Sequence, residues 1–389
     1  MMYRKNVLFL MLFCCFYFVS SAQNYTVKTK GVLPYLLYGN GTDRLGGAKM
    51  TYIDTAVLLK TIGTERNLYI VQLSQNHKAY IPREYAEVVN KTIRPNILSG
   101  SIKATGDSLY DYVTFNTTEK LPYRSIMQVN PSKVIVDVFG IANNTNWVMH
   151  KHDSLQVVRQ VSTEQIEDDV FRIIIDLKEE QNWGYKISYD TAHYNYLTIR
   201  LKHPPKTKTL KNLKVAIDAG HGGSNRGARG KTVVEKEYNL MIAKMLQRRL
   251  ENHGAKVFMT RTTDVALSME ERLAAIQHYQ PDIMVSIHLN ASANPEVKGV
   301  STYYRYAGFK DLSLHILDRI AELDIENWGS IGNFNFTLNG STEYPNSLIE
   351  VAFVSNEEDE RKILNPRFRE QVVNKIHQGL EDFIKAKNK

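Results

Sequence analysis

Apolar and polar positions along the chain follow three successive regimes. Over 31–92, short apolar runs such as 56–59 and 68–73 are separated by turn signals at Gly39-Asn40-Gly41 and Leu45-Gly46-Gly47. Closely spaced short strands of this kind predict a small β-barrel. Over 97–203 the runs 134–139, 170–177 and 196–201 alternate or run apolar in strand fashion, and no stretch has helical spacing, which predicts an all-β sandwich. The Pro- and Lys-rich segment 204–211 lacks apolar periodicity and predicts a linker. From 212 to 389 the period switches. Strands are predicted at 214–218, 257–260, 283–287, 300–304 and 347–351. Between and after them, helices are predicted over 238–251, with Leu240, Ala243, Leu246 and Leu250 at helical spacing, and over 268–279, 311–323 and 366–384. Ser268 and Glu271 have the spacing of a capping box. Alternating strands and helices predict a three-layer α/β domain with a mostly parallel sheet, preceded by two small all-β modules. No internal repeat or low-complexity segment is visible.

The N-terminal 22 residues stand apart. Arg4 and Lys5 precede an apolar run over 7–19 interrupted only by Tyr17, and Ser20-Ser21-Ala22 offers a small-x-small cleavage site. This is the layout of a secretory signal peptide, and the run is short for a membrane-spanning helix, which takes about 20 residues. The expectation is an exported protein of a bacterial periplasm or cell envelope, with no stable membrane insertion once the segment is removed. Phe13 before Cys14 does not fit a lipidation site. Both cysteines of the 389-residue chain, Cys14 and Cys15, lie in this segment. The mature chain therefore has no thiol or disulfide chemistry, and its reactivity rests on His, Asp, Glu, Ser or a metal. Removing Arg4 and Lys5 lowers the 49 basic residues to 47 against 41 acidic ones, so the net charge falls from +8 to about +6. That mild excess permits an anionic partner without specifying one, and nothing in the pattern points to nucleic acid. Hydrophobic residues at 43% and charged residues at 23% are those of a globular chain. The abundant tyrosines suit strands rather than forming a regular sugar-binding stripe.

Candidate chemistry gathers at predicted strand ends, where open α/β sheets bind ligands. Strand 214–218 runs into Gly220-His221-Gly222-Gly223, strand 283–287 into His288-Leu289-Asn290, strand 347–351 carries Glu350, and Glu235 and Glu237 precede the first helix. Histidine and carboxylate ligands suit Zn²⁺, and a catalytic zinc takes three protein ligands with one position left for water. Glu350 lies inside an apolar run, so its carboxylate must be paired, face a metal or have a raised pKa. Glu237 competes with Glu235 as a ligand, and the Glu-Lys pattern favours Glu235. Arg261 and Asp264 read as turn braces, and Asp218 either supports a ligand or simply ends its strand. His253, His278, His315 and His377 lie in or near helices and read as surface or structural residues. The basic end, 385–389, reads as a frayed tail.

Five segments, VAIDAGHGG, VVEKEYNLMIAKML, FMTRTTD, DIMVSIHLNA and PNSLIEVAFVSN, occur in an order and spacing that resemble the zinc-dependent N-acetylmuramoyl-L-alanine amidases of the Amidase_3 type. The resemblance covers most of 213–386. It implies His221, Glu235 and His288 as zinc ligands and Glu350 as the catalytic carboxylate. The implied reaction is hydrolysis of the amide between N-acetylmuramic acid and L-alanine of the peptidoglycan stem peptide, by zinc-activated water with Glu350 as general base. PSKVIVDVFG, FRIIIDLK and YLTIRLK resemble the AMIN β-domain, and GTDRLGGAKM, LYIVQLS and KAYIP resemble a bacterial SH3-like domain. Peptidoglycan and a divisome or envelope activator protein are the partners this implies. The residues alone reach only a metal-assisted hydrolase, so a zinc peptidase cutting within the stem peptide and a non-catalytic wall-binding scaffold stay as alternatives.

The sequence departs from the family pattern in places. Ser224-Asn225-Arg226-Gly227-Ala228 replaces the usual Asp-Pro-Gly-Ala continuation, Ile276-Gln277 stands for Ala-Asn, and Leu338-Asn339-Gly340 stands where an arginine is common. Only 291–298 separate Asn290 from Gly299, too few for the inhibitory helix that some members insert there.

Overall fold

The structure, a computed structural model, describes residues 25–41, 46–190 and 196–387. The expected signal segment, Leu45 of the expected turn, and Asn388 and Lys389 of the expected tail lie outside the described residues. No helix among the described residues is long and apolar enough to cross a membrane.

The first β-module is a seven-stranded antiparallel sheet whose earliest strand, Tyr25–Thr29, lies ahead of residue 31 and pairs with both Leu58–Glu65 and Ala86–Val89. The 56–59 run is only partly strand: Ala56 takes φ +65° in a turn, and the strand starts at Leu58. The next module stacks a five-stranded sheet on a four-stranded one, and Phe115 of one meets Phe171 of the other with ring centroids 5.9 Å apart. In Lys133–Phe139 and Val170–Leu177, Val134, Val136, Ile173 and Ile175 point inward with the two-residue period of a pleated strand. The apolar cores of these two modules merge into one cluster, from Val27 and Leu36 through Val113 and Phe171. Asp111, fully buried, accepts hydrogen bonds from the amides of Gln156, Val157 and Val158 and lies 2.8 Å from His203 Nε2, which ties down the start of the connection to the C-terminal domain.

The C-terminal domain is built on six strands in the order Lys256–Met259, Lys214–Ala219, Ile283–Asn290, Asn346–Phe353, Val300–Tyr303, Asn327–Ile331. The first four are parallel, and Val300–Tyr303 runs antiparallel to Asn346–Phe353. Helices α1 (Glu235–Asn252), α3 (Lys310–Ile320) and α5 (Pro366–Lys387) share the larger apolar core on one face of the sheet. Helix α2 (Met269–Tyr279) covers the other face through Leu273 and Ile276, and Leu33 and Tyr52 of the first β-module pack against the same cluster. A short helix, α4 (Glu357–Leu364), follows the Asn346–Phe353 strand. The chain is thus an all-β N-terminal region followed by an α/β domain.

Several boundaries differ from expectation. α1 begins at Glu235, not 238, so Glu235 belongs to the helix rather than preceding it. Val234 offers no side-chain cap; instead the carbonyls of Ala228 and Arg226 accept the amides of Glu235 and Lys236, a service that comes from the preceding loop. The α1 core stripe is Ile242, Ala243, Leu246 and Leu250, with Ile242 in the place expected for Leu240. α3 stops at Ile320 rather than 323, and residues 385–387 of the expected frayed tail continue α5. The Ser268–Glu271 capping box forms. The Asn327–Ile331 strand escaped notice because it is a short edge strand with Asn327 and Trp328 exposed, and α4 because it has few apolar residues; its signal was Asn356, whose side chain caps Glu358 and Asp359.

His377 is buried in α5, its ring centroid 4.2 Å from that of His253, which follows α1. Burial, reinforced by His253, Arg249 and Lys385 and opposed by Glu381, pushes His377 down to about 4. Between that value and its ordinary 6.5, the unfolded chain binds a proton that the folded chain does not. Stability from this residue is complete above pH 6.5 and lost as pH falls toward about 4. Replacing His377 with Leu should flatten the pH dependence. In urea unfolding at pH 7 and pH 5, wild type should lose about 1–2 kcal/mol more than the variant.

Candidate metal centre

The parallel strands bring their carboxyl ends to one edge, and there the chain passes close to the candidate side chains. After Ala219 it turns through Gly220, His221 (φ +61°), Gly222 (φ +134°) and Gly223 (φ +56°). A Cβ on Gly220 would sit 2.3 Å from His288 Nε2, and one on Gly227 would sit 2.3 Å from Glu235 Oε2. Only glycine leaves room at these two points for the imidazoles and the carboxylate to converge.

The orientation of each side chain has a cause. Asn225 Oδ1 accepts the amide of Gly227 and lies 2.9 Å from His221 Nδ1, so that nitrogen donates its proton to Asn225. The lone pair of His221 is then on Nε2, which faces Glu235 Oε1 at 3.1 Å. His288 sits inside the Ile283–Asn290 strand, which runs three residues further than expected, and its Nδ1 is 3.0 Å from the same oxygen. Glu235, on the first turn of α1, is buried; Oε1 also accepts from the Leu289 amide and Asn239 Nδ2, and Oε2 from the Ala228 amide. Glu237, one position beyond Lys236, is exposed and takes no part. The register between parallel strands pairs His288 with Glu350, which is buried in the middle of Asn346–Phe353 rather than at its end. His253, His278, His315 and His377 lie away from this edge, on or after helices.

One ligand atom from each of His221, Glu235 and His288 lies within 4.8 Å of the others. Two imidazole nitrogens and a carboxylate oxygen form a donor set that suits zinc. The electrostatics of the cluster favour a cation. Burial would raise Glu235, but the two imidazoles of His221 and His288 beside it outweigh that and hold the carboxyl well below the usual range. Burial would lower His288, yet Glu235, Glu350 and Asp218 push it up to about 9. The carboxylates that draw a proton to His288 here would equally stabilise a divalent ion. Together with the two glycine approaches, this fits a bound metal.

Beneath the cluster lies a polar layer that sequence reasoning largely missed. Arg272 of α2 is buried and donates to Asp218 Oδ1 at 2.7 Å, to the Ala219 carbonyl at 2.9 Å and to the His221 carbonyl at 2.6 Å. Thr260 and Ser286 donate to the same Asp218 carboxylate, so Asp218 joins three strands instead of simply ending one. Burial would raise Asp218; Arg272, His288, Ser286 and Thr260 together hold it below the ordinary range. Arg261 donates to the carbonyls of Ala219, Gly220 and Lys236, and Asp264 accepts from the Gly223 amide and Lys236 Nζ. Both brace the glycine turn. The available signals were the placement of Asn239 four residues after Glu235 on α1, and an arginine inside the apolar face of α2. The cluster opens into a cavity of about 520 Å³, lined also by Leu267, Met269, Phe336, Thr337 and Leu338.

A mostly parallel sheet that gathers two imidazoles and two carboxylates at its carboxyl edge defines an α/β domain with a candidate metal centre where such sheets bind ligands. Residues 215–382 match the family described as N-acetylmuramoyl-L-alanine amidase, and residues 101–201 match the AMIN domain. The chain is 32% identical over 217 residues to the probable cell wall amidase LytH of Staphylococcus aureus, covering 53% of this chain and 68% of that protein. It is 30% identical over 203 residues to the N-acetylmuramoyl-L-alanine amidase LytC of Bacillus subtilis (strain 168), covering 49% of this chain and only 41% of LytC. A solved N-acetylmuramoyl-L-alanine amidase from Clostridium difficile 630 is 32% identical, with a TM-score of 0.44 over 46% of this chain and 99% of that one. The chain belongs to the N-acetylmuramoyl-L-alanine amidase family.

Replacing Arg272 with Met would leave Asp218 buried without its cation and remove the guanidinium donor from the His221 carbonyl, while the Ala219 carbonyl keeps Arg261. Urea unfolding should show a loss of about 3–5 kcal/mol. Arg272→Lys should recover only part of it, because one ammonium cannot span the carboxylate and both carbonyls.

Proposed function

We propose that this chain is a zinc-dependent peptidoglycan hydrolase that cleaves the amide between N-acetylmuramic acid and L-alanine of the stem peptide. The observation that carries the reading is the convergence of His221, Glu235 and His288, with Glu350 beside His288 on the neighbouring strand and in the same cavity. His221, Glu235 and His288 would hold the zinc ion, which would supply Lewis-acid polarisation of the amide carbonyl and a lower pKa for water. Glu350 would accept a proton from the attacking water on a carboxylate oxygen and deliver it to the leaving nitrogen. Asn225 keeps His221 in the tautomer whose Nε2 is free to ligate, and Asn239 and the Ala228 and Leu289 amides fix the Glu235 carboxylate. In this reading segment 1–22 is a signal for export to the periplasm or cell envelope. An SH3-like module over 31–92 and an AMIN-like module over 97–203, joined by the 204–211 linker to the catalytic domain over 212–389, bind wall or divisome components.

The deciding experiment is digestion of purified peptidoglycan with identification of the products by mass spectrometry. Release of intact stem peptides supports the amidase. Cuts within the peptide would establish the peptidase instead, and no products from zinc-loaded protein would point to the scaffold. Glu350→Ala should abolish turnover, a loss of at least about 100-fold, while retaining zinc. His221→Ala should lower metal content, and unchanged occupancy would remove His221 from the ligand set. Gly220→Ala tests the cradle directly. Its φ is ordinary, so the methyl acts only by displacing His288, and zinc affinity should fall at least about ten-fold with the circular dichroism spectrum intact.

A further inference from the structure

The wall of the catalytic cavity formed by Phe336, Thr337 and Leu338 belongs to a long connection, 332–345, with little regular structure of its own. The catalytic domain supports part of it: the rings of Phe334 and Phe336 pack on Tyr303, with centroids 5.0 and 5.4 Å away. The Phe334 amide donates to the Tyr304 carbonyl, Tyr306 donates to the Gly340 carbonyl, and Thr342 donates to the Tyr185 carbonyl of the second β-module. Further anchors, around 335–337, come from the first β-module, almost 300 residues earlier in the chain. Lys49 Nζ donates to Thr337 Oγ1 at 3.3 Å, and its amide donates to Asn335 Oδ1 at 3.3 Å. Asn335 Nδ2 donates to the Gly47 carbonyl at 3.0 Å. Arg305 bridges the two sides, donating to Asn335 Oδ1 and to the Lys49 carbonyl. Tyr52 and Leu33 pack into the cluster that contains Leu338, Leu273 and Ile276. Tyr85 of the same module donates to Glu270 at the start of α2, next to cavity-lining Met269.

Lys49 is held firmly. Its ammonium lies 4.6 Å from the centre of the Tyr35 ring and 5.6 Å from that of Tyr52. A cation held against two aromatic rings, with a hydroxyl acceptor in reach, is a stiffer anchor than a mobile surface lysine. Connections without regular structure are ordinarily among the least stable parts of a domain. This one holds a half-buried aromatic ring, Phe336, over the candidate reaction centre, where a displacement of about 1 Å can cost orders of magnitude in rate.

We propose that residues 47–52 of the first β-module brace one wall of the substrate cavity, with Lys49 as the positioning residue that sets the Phe336–Thr337–Leu338 wall through Thr337. The module thereby shapes the substrate cleft without lining it. The kinetic arm of the test rests on the amidase reading; the structural arm does not. In the full chain loaded with zinc, Lys49→Met should speed amide hydrogen exchange over 334–340 at least about ten-fold and leave exchange over 283–290 unchanged. On purified peptidoglycan, kcat/KM should fall about ten-fold, mainly through KM, at unchanged zinc content, and Lys49→Arg should restore most of both signals. Wild-type exchange rates over 334–340 in the variant would overturn the proposal, as would accelerated exchange with unchanged kinetics. Should wild type release no stem peptides, the functional reading fails while the exchange comparison still decides whether Lys49 sets the wall. If Lys49→Met does not fold, Thr337→Val removes the acceptor at nearly constant volume and is measured on the same two arms, with the same outcomes deciding.

Discussion

The buried contact between Arg272 and Asp218 organises the C-terminal domain. A guanidinium and a carboxylate, both about 1% exposed and 2.7 Å apart, are retained only where their remaining hydrogen-bonding capacity is met. Here Asp218 also accepts from Thr260 and Ser286, and Arg272 donates to the carbonyls of Ala219 and His221. One pair of charges therefore links α2, three parallel strands and the turn that presents His221. The cost of desolvating those charges is repaid by fixing the backbone from which the imidazole projects.

That fixed backbone lets a small carboxylate hold two histidines. Glu235 reaches the cluster because α1 begins at that residue, with its first amides satisfied by the Ala228 and Arg226 carbonyls rather than by a capping side chain. Glycine at 220 and 227 removes the two methyl groups that would otherwise occupy the space. The result is a compact, negatively biased pocket in which His288 holds its proton unusually tightly, the electrostatic condition under which a cation is also held. Glu350 enters this field by strand register alone: a slip by one residue would send it to the helix-packed face and bring an apolar neighbour to the cavity.

The β-modules contribute structure to this region as well as length to the chain. Their cores merge with each other, and the first module also packs against α2 and the connection that walls the cavity. The region whose chemistry lies within 212–389 thus takes part of its shape from residues near 50.

Much of this was legible along the chain. The switch from a two-residue to a 3.6-residue apolar period marks where the α/β domain begins, because pleated strands and helices expose their faces at those intervals. The Gly-His-Gly turn, the strand-borne His288 and Glu350, and the glutamates near α1 are local features, and a carboxylate inside an apolar run announces a special environment. The Glu-Lys pattern favours Glu235 over Glu237 along the chain, and the structure adds the physical reason: both lie in one helical turn, and the helix phase turns only Glu235 inward. The start of α1, Arg272 on Asp218, and Lys49 on Thr337 were invisible, for a common reason. Each joins groups that are distant in sequence or served by backbone carbonyls, and periodicity and spacing carry no record of contacts made across the fold.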